Sequence, residues 1–187
     1  MLEYEKKIML TVDEYLSILI LKCRHLRMNT QTNYYFDDDD FSMNKKGITC
    51  RIREKSGKYK STVKNHNTRH PNLSIEVDLA ETTKFYPQIF NAFGLHNKGE
   101  LVTQRIVMYK DSNCEMVLDR NVYLGFEDFE LEVEYVEGAE EKAQALIDDI
   151  AEFLVATQHL NEAYELSVRV DKGACKSQRF FERRKNY

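Results

Sequence analysis

Polar and apolar residues alternate along most of this chain, and period-two alternation is the signature of strands with one buried face. It occurs at residues 2–10, 32–37, 48–54, 58–64, 73–79, 101–110, 114–119 and 129–135. Eight strands is a barrel-sized number. Between them the period lengthens to three or four. Thr11 stands before one such segment with Glu14 at its third position, a capping box that predicts a helix over 12–28. A second helix is expected over 82–93. A third is expected over 139–159, where Ala143, Leu146, Ile147, Ile150, Phe153 and Leu154 form an apolar face. Beyond Asn161 the pattern weakens to a short helix and a basic end, Arg179 to Lys185. Helices pad a mainly β body.

The polar strand faces are unusually sorted. Glu3, Glu5 and Lys7 share one face opposite Leu2, Tyr4 and Ile8. Arg51 and Arg53 lie opposite Cys50 and Ile52, and Lys58, Lys60, Thr62 and Lys64 opposite Tyr59 and Val63. Glu76 stands on the polar side of a strand whose other face is Leu73, Ile75, Val77 and Leu79. Arg105 pairs with Thr103 on a face, and Asp119 with Glu115 and Val117. Glu130, Glu132 and Glu134 then form a row opposite Phe129, Leu131, Val133 and Tyr135. Any one row is explained as a solvated face. Adjacent carboxylates repel, however, unless cations lie between or opposite them. Closing the sheet with these faces inward would set Lys and Arg on one wall and Glu on the other. Such a lumen suits a polyanion: Arg and Lys grip phosphate oxygens, and an oxygen-only carboxylate row suits Mg²⁺ or Mn²⁺.

Composition narrows this without changing it. The 187 residues fit one domain, taken as 1–187, and only 7 Gly and 2 Pro exclude collagen-like and low-complexity sequence. Charge is abundant but nearly cancels, 27 Lys+Arg against 31 Asp+Glu. A net charge of −4 argues against general binding to nucleic acid or an anionic membrane. The 4 Cys lie far apart without zinc-ligand spacing, which suits a reducing compartment. With no signal-peptide pattern at the first residues and no apolar run of about 20 residues, the expected location is cytoplasmic. Nothing in the pattern distinguishes a monomer from a homodimer.

Several motifs in order resemble one family. Glu3-Tyr4-Glu5-Lys6-Lys7 is similar to the E-x-E-x-K signature of the CYTH, or triphosphate tunnel metalloenzyme, superfamily. Asn33-Tyr34-Tyr35-Phe36-Asp37 and Gly47-Ile48-Thr49-Cys50-Arg51-Ile52-Arg53 resemble its N-x-Y-F-D and G-x-x-L-R-I-R. The lysine strand 57–64, Glu76, Thr103-Gln104-Arg105, Leu118-Asp119, Tyr123-Leu124-Gly125 and Phe129 to Glu134 follow in family order. The resemblance implies a closed eight-stranded antiparallel β-barrel tunnel with flanking α-helices. It implies a metal-dependent hydrolase of triphosphate compounds, using Mg²⁺ or Mn²⁺ and no nucleophilic Ser or Cys. Lys7, Arg51, Arg53, Lys64 and Arg105 then match bases that hold the triphosphate, and Lys176 and Arg179 resemble a basic pair near the family's C-terminus. Glu3, Glu5, Glu130, Glu132 and Glu134 match glutamates around the metal, with Glu5, Lys7 and Glu132 taken as catalytic and Glu76 and Asp119 as further lumen acids. One departure stands out: Thr103 occupies a place where many members carry lysine. An adenylate cyclase making cyclic AMP from ATP is the alternative activity, and a non-catalytic polyphosphate- or nucleotide-binding module the alternative class.

Three other features read more plainly. The run Asp37 to Asp40 lacks the Gly and distal Glu of a calcium loop and reads as a solvated turn. His66 and His70 read as a surface turn. Lys58 and Lys60 fit either the lumen or a hairpin end, and the basic C-terminal end fits a solvated tail or a tunnel cover.

Overall fold

The computed structural model of the chain describes residues 2–66, 72–170 and 174–186; the side chains of Glu3, Tyr164 and Ser167 lie outside that description. In chain order the elements are β1 (Leu2–Leu10), α1 (Val12–Leu21), β2 (Met28–Asp37), α2 (Ser42–Lys45), β3 (Ile48–Lys55), β4 (Lys58–Asn65) and β5 (Leu73–Thr82). There follow α3 (Gln88–Asn91), β6 (His96–Lys110), β7 (Cys114–Tyr123), β8 (Phe126–Tyr135), α4 (Glu140–Ala156), α5 (Tyr164–Ser167) and α6 (Lys176–Arg184). The eight strands form a closed barrel in the order β1-β5-β4-β3-β2-β6-β7-β8. Every neighbouring pair is antiparallel, and β1 closes the ring by pairing with both β5 and β8.

Two hairpins pin the register. Ser56-Gly57 joins β3 to β4 with φ of 53° and 76°, and Leu124-Gly125 joins β7 to β8 with φ of 47° and 75°. Two successive left-handed residues make the primed turn whose twist matches that of the strands. With register set, side chains alternate between lumen and exterior except where the register shifts, at Tyr35/Phe36, Ser61/Thr62 and Val107/Tyr109. Thus Lys7 faces Glu132 across β1 and β8, Asp119 faces Arg105 across β7 and β6, and Lys64 faces Glu76 across β4 and β5.

The apolar exterior of β1, β7 and β8 is covered by helices. Ala143, Ile147, Ile150 and Leu154 of α4 pack with Ile8, Leu118, Leu131 and Val133, and α1 adds Tyr15 and Ile18. The capping box of α1 is present in full, Thr11 Oγ1 accepting from Glu14 N and the Glu14 carboxylate from Thr11 N. A second cluster forms where Phe180 and Phe181 of α6 meet Tyr35, Leu101 and Tyr123.

Two expected helices are shorter than their patterns suggested. α1 ends at Leu21, and Met28, expected within it, starts β2 opposite Ile106. The long edge of β6 gives the polar, β-branched stretch after Met28 a partner that a local pattern does not reveal. Over 82–93 only Gln88–Asn91 is helical, because β5 runs on to Thr82 and Pro87 disfavours helix at the residue before it. The acidic run is also not simply solvated. Asp37 is fully buried, its carboxylate accepting from the backbone N–H groups of Asp38, Met43 and Asn44 and so tying β2 to α2.

Candidate active site

The barrel encloses a polar cavity of about 280 Å³. Among the described residues, nine lysines and arginines and five glutamates line it: Lys7, Arg51, Arg53, Lys55, Lys60, Lys64, Arg105, Lys110 and Lys176, with Glu5, Glu76, Glu115, Glu132 and Glu134. An acidic protein therefore carries a net basic interior, which the alternation of side chains concentrates on one surface.

On the β1 side, Lys7 Nζ lies 2.6 Å from Glu5 Oε1 and Lys64 Nζ 3.3 Å from Glu5 Oε2. Burial alone would raise the Glu5 carboxyl, but the two ammonium groups override it and hold it far below the usual carboxylate range. Burial likewise opposes the charge of Lys7, and Glu5 and Glu132 raise it above the usual ammonium value. Arg51 donates to Glu76 at 2.8 Å and to Thr62 at 3.1 Å.

The β6–β7–β8 side carries the densest charge. Arg105 makes a two-pronged contact with Asp119 at 2.9 and 2.7 Å and reaches Glu132 at 3.3 Å. Burial works against its charge, and the carboxylates of Asp119 and Glu132 raise it further above the ordinary arginine value. Asp119, Glu130 and Glu132 place carboxylate oxygens within 4.8 Å of one another, all buried. Lys176 enters this cluster from α6, 2.6 Å from Glu132, 3.1 Å from Asp119 and in contact with Glu130. Burial would raise the Asp119 carboxyl; Lys176 and Arg105 pull it down instead. Burial draws Lys176 below the usual ammonium range, and Asp119 opposes that by favouring the proton. Three carboxylates around one ammonium group argue for its charged form.

Arg53 differs from its neighbours. Its Nε donates to Asn33 Oδ1 at 3.0 Å, and it makes no ion pair among the described residues. Burial, then the like charges of Arg51 and Arg105, push it down to about 10. It remains a cation at neutral pH whose charge no carboxylate among the described residues balances directly.

Most of the expected lumen residues meet here: Glu5, Lys7, Arg51, Arg53, Lys64, Glu76, Arg105, Glu132, Glu134 and Lys176 line the cavity, with Asp119 and Glu130 buried behind it. The glutamates do not form one group. Glu130 and Glu132 join Asp119, Glu5 joins Lys7 and Lys64, and Glu134 lies 4.0 Å from Arg105. The Glu3 side chain and His70 lie outside the described residues. Arg179 is not part of the lining: it pairs with Asp128 at 2.8 Å and Glu130 at 2.7 Å. Lys60 lines the cavity while pairing with Asp78, whereas Lys58 is exposed beside Glu81. Thr103, fully buried, donates to Asn121 at 2.7 Å and adds no charge.

One cluster escaped sequence reasoning. His66 lines the cavity with Thr49, Cys175 and Ser177, with Thr49 Oγ1 3.2 Å from His66 Nε2 and 2.7 Å from Ser177 Oγ. Cys175 Sγ lies 3.9 Å from His66 Nε2 and 3.2 Å from Ser177 Oγ. Burial would raise this thiol, but His66, Lys7 and Ser177 lower it to about 6. No spacing along the chain links residues more than a hundred positions apart. The basic C-terminal end belongs to α6, whose first residues, Lys176 and Ser177, line the cavity, while Arg183 and Lys185 beyond them are exposed.

Comparison with known proteins agrees with this geometry. A model of the CYTH domain matches residues 1–165. The chain is 31% identical over 147 residues to YjbK of Bacillus subtilis (strain 168), named as a candidate triphosphatase, covering 71% of this chain and 77% of that protein. Among solved structures, a candidate adenylate cyclase from Bacillus halodurans superposes with a TM-score of 0.64 at 24% identity, covering 96% of this chain and 97% of that one. HpAC1 from Hippeastrum, a candidate adenylyl cyclase described as having a dominant triphosphatase activity, gives a TM-score of 0.63 at 17% identity, over 97% of this chain and 95% of that one.

Proposed function

This chain belongs to the CYTH domain family, and we propose that its cavity hydrolyses the terminal phosphoanhydride bond of a triphosphate compound with the help of a divalent ion, residues 1–187 working as one domain. The observation that carries the reading is Arg53, a half-buried cation with no carboxylate partner among the described residues, in a cavity whose described lining holds nine bases and five glutamates. A polyphosphate supplies the missing negative charge. Arg51, Arg53, Lys64, Arg105 and Lys7 hold its phosphate oxygens and neutralise charge that builds as the bond to the leaving phosphate lengthens. Glu5, kept ionised by Lys7 and Lys64, orients those two ammonium groups.

Asp119, Glu130 and Glu132 fit a hard divalent ion. All their donors are carboxylate oxygens, and the Lys176 ammonium group already stands among them as a cation. Mg²⁺ or Mn²⁺ there would supply charge to phosphate oxygens and acidify an attacking water. Glu132, which faces both the cluster and the cavity, would be the carboxylate placed to orient an attacking water and accept a proton from it.

The test is a panel of tripolyphosphate, thiamine triphosphate and ATP with Mg²⁺ or Mn²⁺. Released phosphate, abolished in Arg53→Ala and Glu132→Ala, supports the triphosphatase. Cyclic AMP would assign a cyclase, and tight binding without turnover a binding module.

A further inference from the structure

Among the described residues three arginines line the cavity, and each is held from another strand. Arg105 on β6 sits directly opposite Asp119 on β7 and makes its two-pronged contact there. Arg51 on β3 reaches across β4 to Glu76 on β5 at 2.8 Å. Arg53 on β3 sits directly opposite Asn33 on β2, in the same relation as Arg105 to Asp119, and meets an amide where the other meets an acid. Asn33 is buried, and its Oδ1 accepts from Arg53 Nε at 3.0 Å, which fixes the guanidinium through the nitrogen nearest its stem. Glu76, the acid that acts on Arg53 through space, is engaged with Arg51. Asn33 Nδ2 is buried as well and has no acceptor among the described residues. For folding alone, the amide is therefore the poorer choice. An unpaired buried N–H carries its desolvation penalty, whereas an aspartate at this position has no N–H to leave unpaired and would meet Arg53 as Asp119 meets Arg105.

We propose that Asn33 is a specificity-determining residue of the cavity: a neutral amide that holds Arg53 in place without cancelling its charge, so that the terminal nitrogens of the guanidinium are left for the oxygens of a polyphosphate. The inference rests on the reading of the cavity as a triphosphate site, and it assigns part of the preference for a polyanion to one uncharged side chain. The physical basis is the contrast with Arg105. A guanidinium bound to a carboxylate through two nitrogens has given up the fork that matches a phosphate, and the adjacent negative charge repels an incoming anion. The bond from Arg53 Nε uses one of five donors and sets the plane of the group. It brings no negative charge with it. Asn33 thus acts through Arg53, as a positioning residue whose neutrality matters as much as its shape.

The experiment measures tripolyphosphate binding to the full chain by calorimetry, near neutral pH and without divalent ions, with the melting temperature followed alongside. Asn33→Asp should bind about a hundredfold more weakly than the wild type. It should melt at no lower a temperature, because the new carboxylate pairs with Arg53. Asn33→Ala, which removes the acceptor but adds no charge, should bind only about fivefold more weakly and should melt lower. A purely structural role for Asn33 predicts the opposite order of binding, since aspartate keeps the shape and the acceptor that alanine removes. Binding by Asn33→Asp within about threefold of the wild type, or weaker binding by Asn33→Ala than by Asn33→Asp, overturns the proposal. So does an Asn33→Asp variant that melts below the wild type or fails to fold. In each of those cases binding by the wild type leaves the triphosphate site standing. Absence of tripolyphosphate binding by the wild type overturns the proposal and the site together.

Discussion

The two walls of the barrel are built from the same alternating pattern and end in opposite states. On the β7–β8–β1 wall the exterior lies under α1 and α4, and the lumen acids are paired with Arg105, Lys176 and Lys7. On the β3–β4–β5 wall the exterior of β5 is open, with Ile75, Val77 and Leu79 between 41% and 50% exposed, and in the lumen Arg53 has no acidic partner among the described residues. Arg105 and Arg53 make the contrast sharp. Buried carboxylates raise one, while burial and like charge lower the other to about 10. One wall spends its charges on holding the fold, and the other keeps a cation available to a ligand.

The largest expected effect breaks this asymmetry directly. Arg105→Met removes the two-pronged partner of buried Asp119, leaving it Lys176 alone, and should cost about 3 kcal/mol in urea unfolding. Arg53→Met should lose only about 1–2 kcal/mol, the cost of leaving buried Asn33 Oδ1 without its donor, yet weaken tripolyphosphate binding by about a hundredfold, or ~2.7 kcal/mol. Equal stability losses in the two variants would erase the distinction between the walls.

The exteriors differ next. Leu131→Ala, beneath α4, should lose about 2–5 kcal/mol, whereas Val77→Thr on the open face of β5 should stay within ~0.5 kcal/mol, both read from denaturant midpoints. A large loss at Val77 would mean that the β5 face is covered in solution.

Acid should act through the paired lumen. Glu5 and Asp119 have lowered carboxyl pKa values, so their contribution to stability is present above the ordinary carboxylate value of about 4 and is lost as pH falls through the lower folded values. Unfolding free energy followed from pH 6 downward should decline below about pH 4. In Glu5→Gln that decline should be shallower, and an unchanged profile would remove Glu5 from the charge network.

The smallest effect on stability belongs to Cys175, where the expected change is in reactivity. Iodoacetamide should modify it with a half-point near pH 6, while Cys23 and Cys50, which burial pushes up to about 11, stay unmodified in the folded protein. A His66→Ala variant should move the Cys175 half-point upward.

Much of the fold could be read from the chain because it rests on local periodicity. Thr11 and Glu14 mark a helix start, and the charged rows on β1, β3, β4 and β8 mark the lumen. The misreadings occurred where a distant partner decided the outcome. Met28 joined a strand because β6 is long enough to pair with it, and Asp37 left the solvent because α2 presents backbone donors to it. His66 was read as a surface turn because Thr49, Cys175 and Ser177 reach it only after folding.

Which residues could face the lumen follows from the chain alone, because side chains alternate along a strand whatever the strand's partner, and the chain carries the motifs of the CYTH family. Which charges meet is settled by tertiary contacts. Lys176 is 44 residues from Glu132 along the chain and 2.6 Å from it in space, while Arg53, in an equally charged motif, meets no acid among the described residues. Period is a local property of the backbone. Charge pairing depends on barrel closure, on strand register and on where α6 comes to rest, and each of these is settled by contacts between residues far apart in the chain.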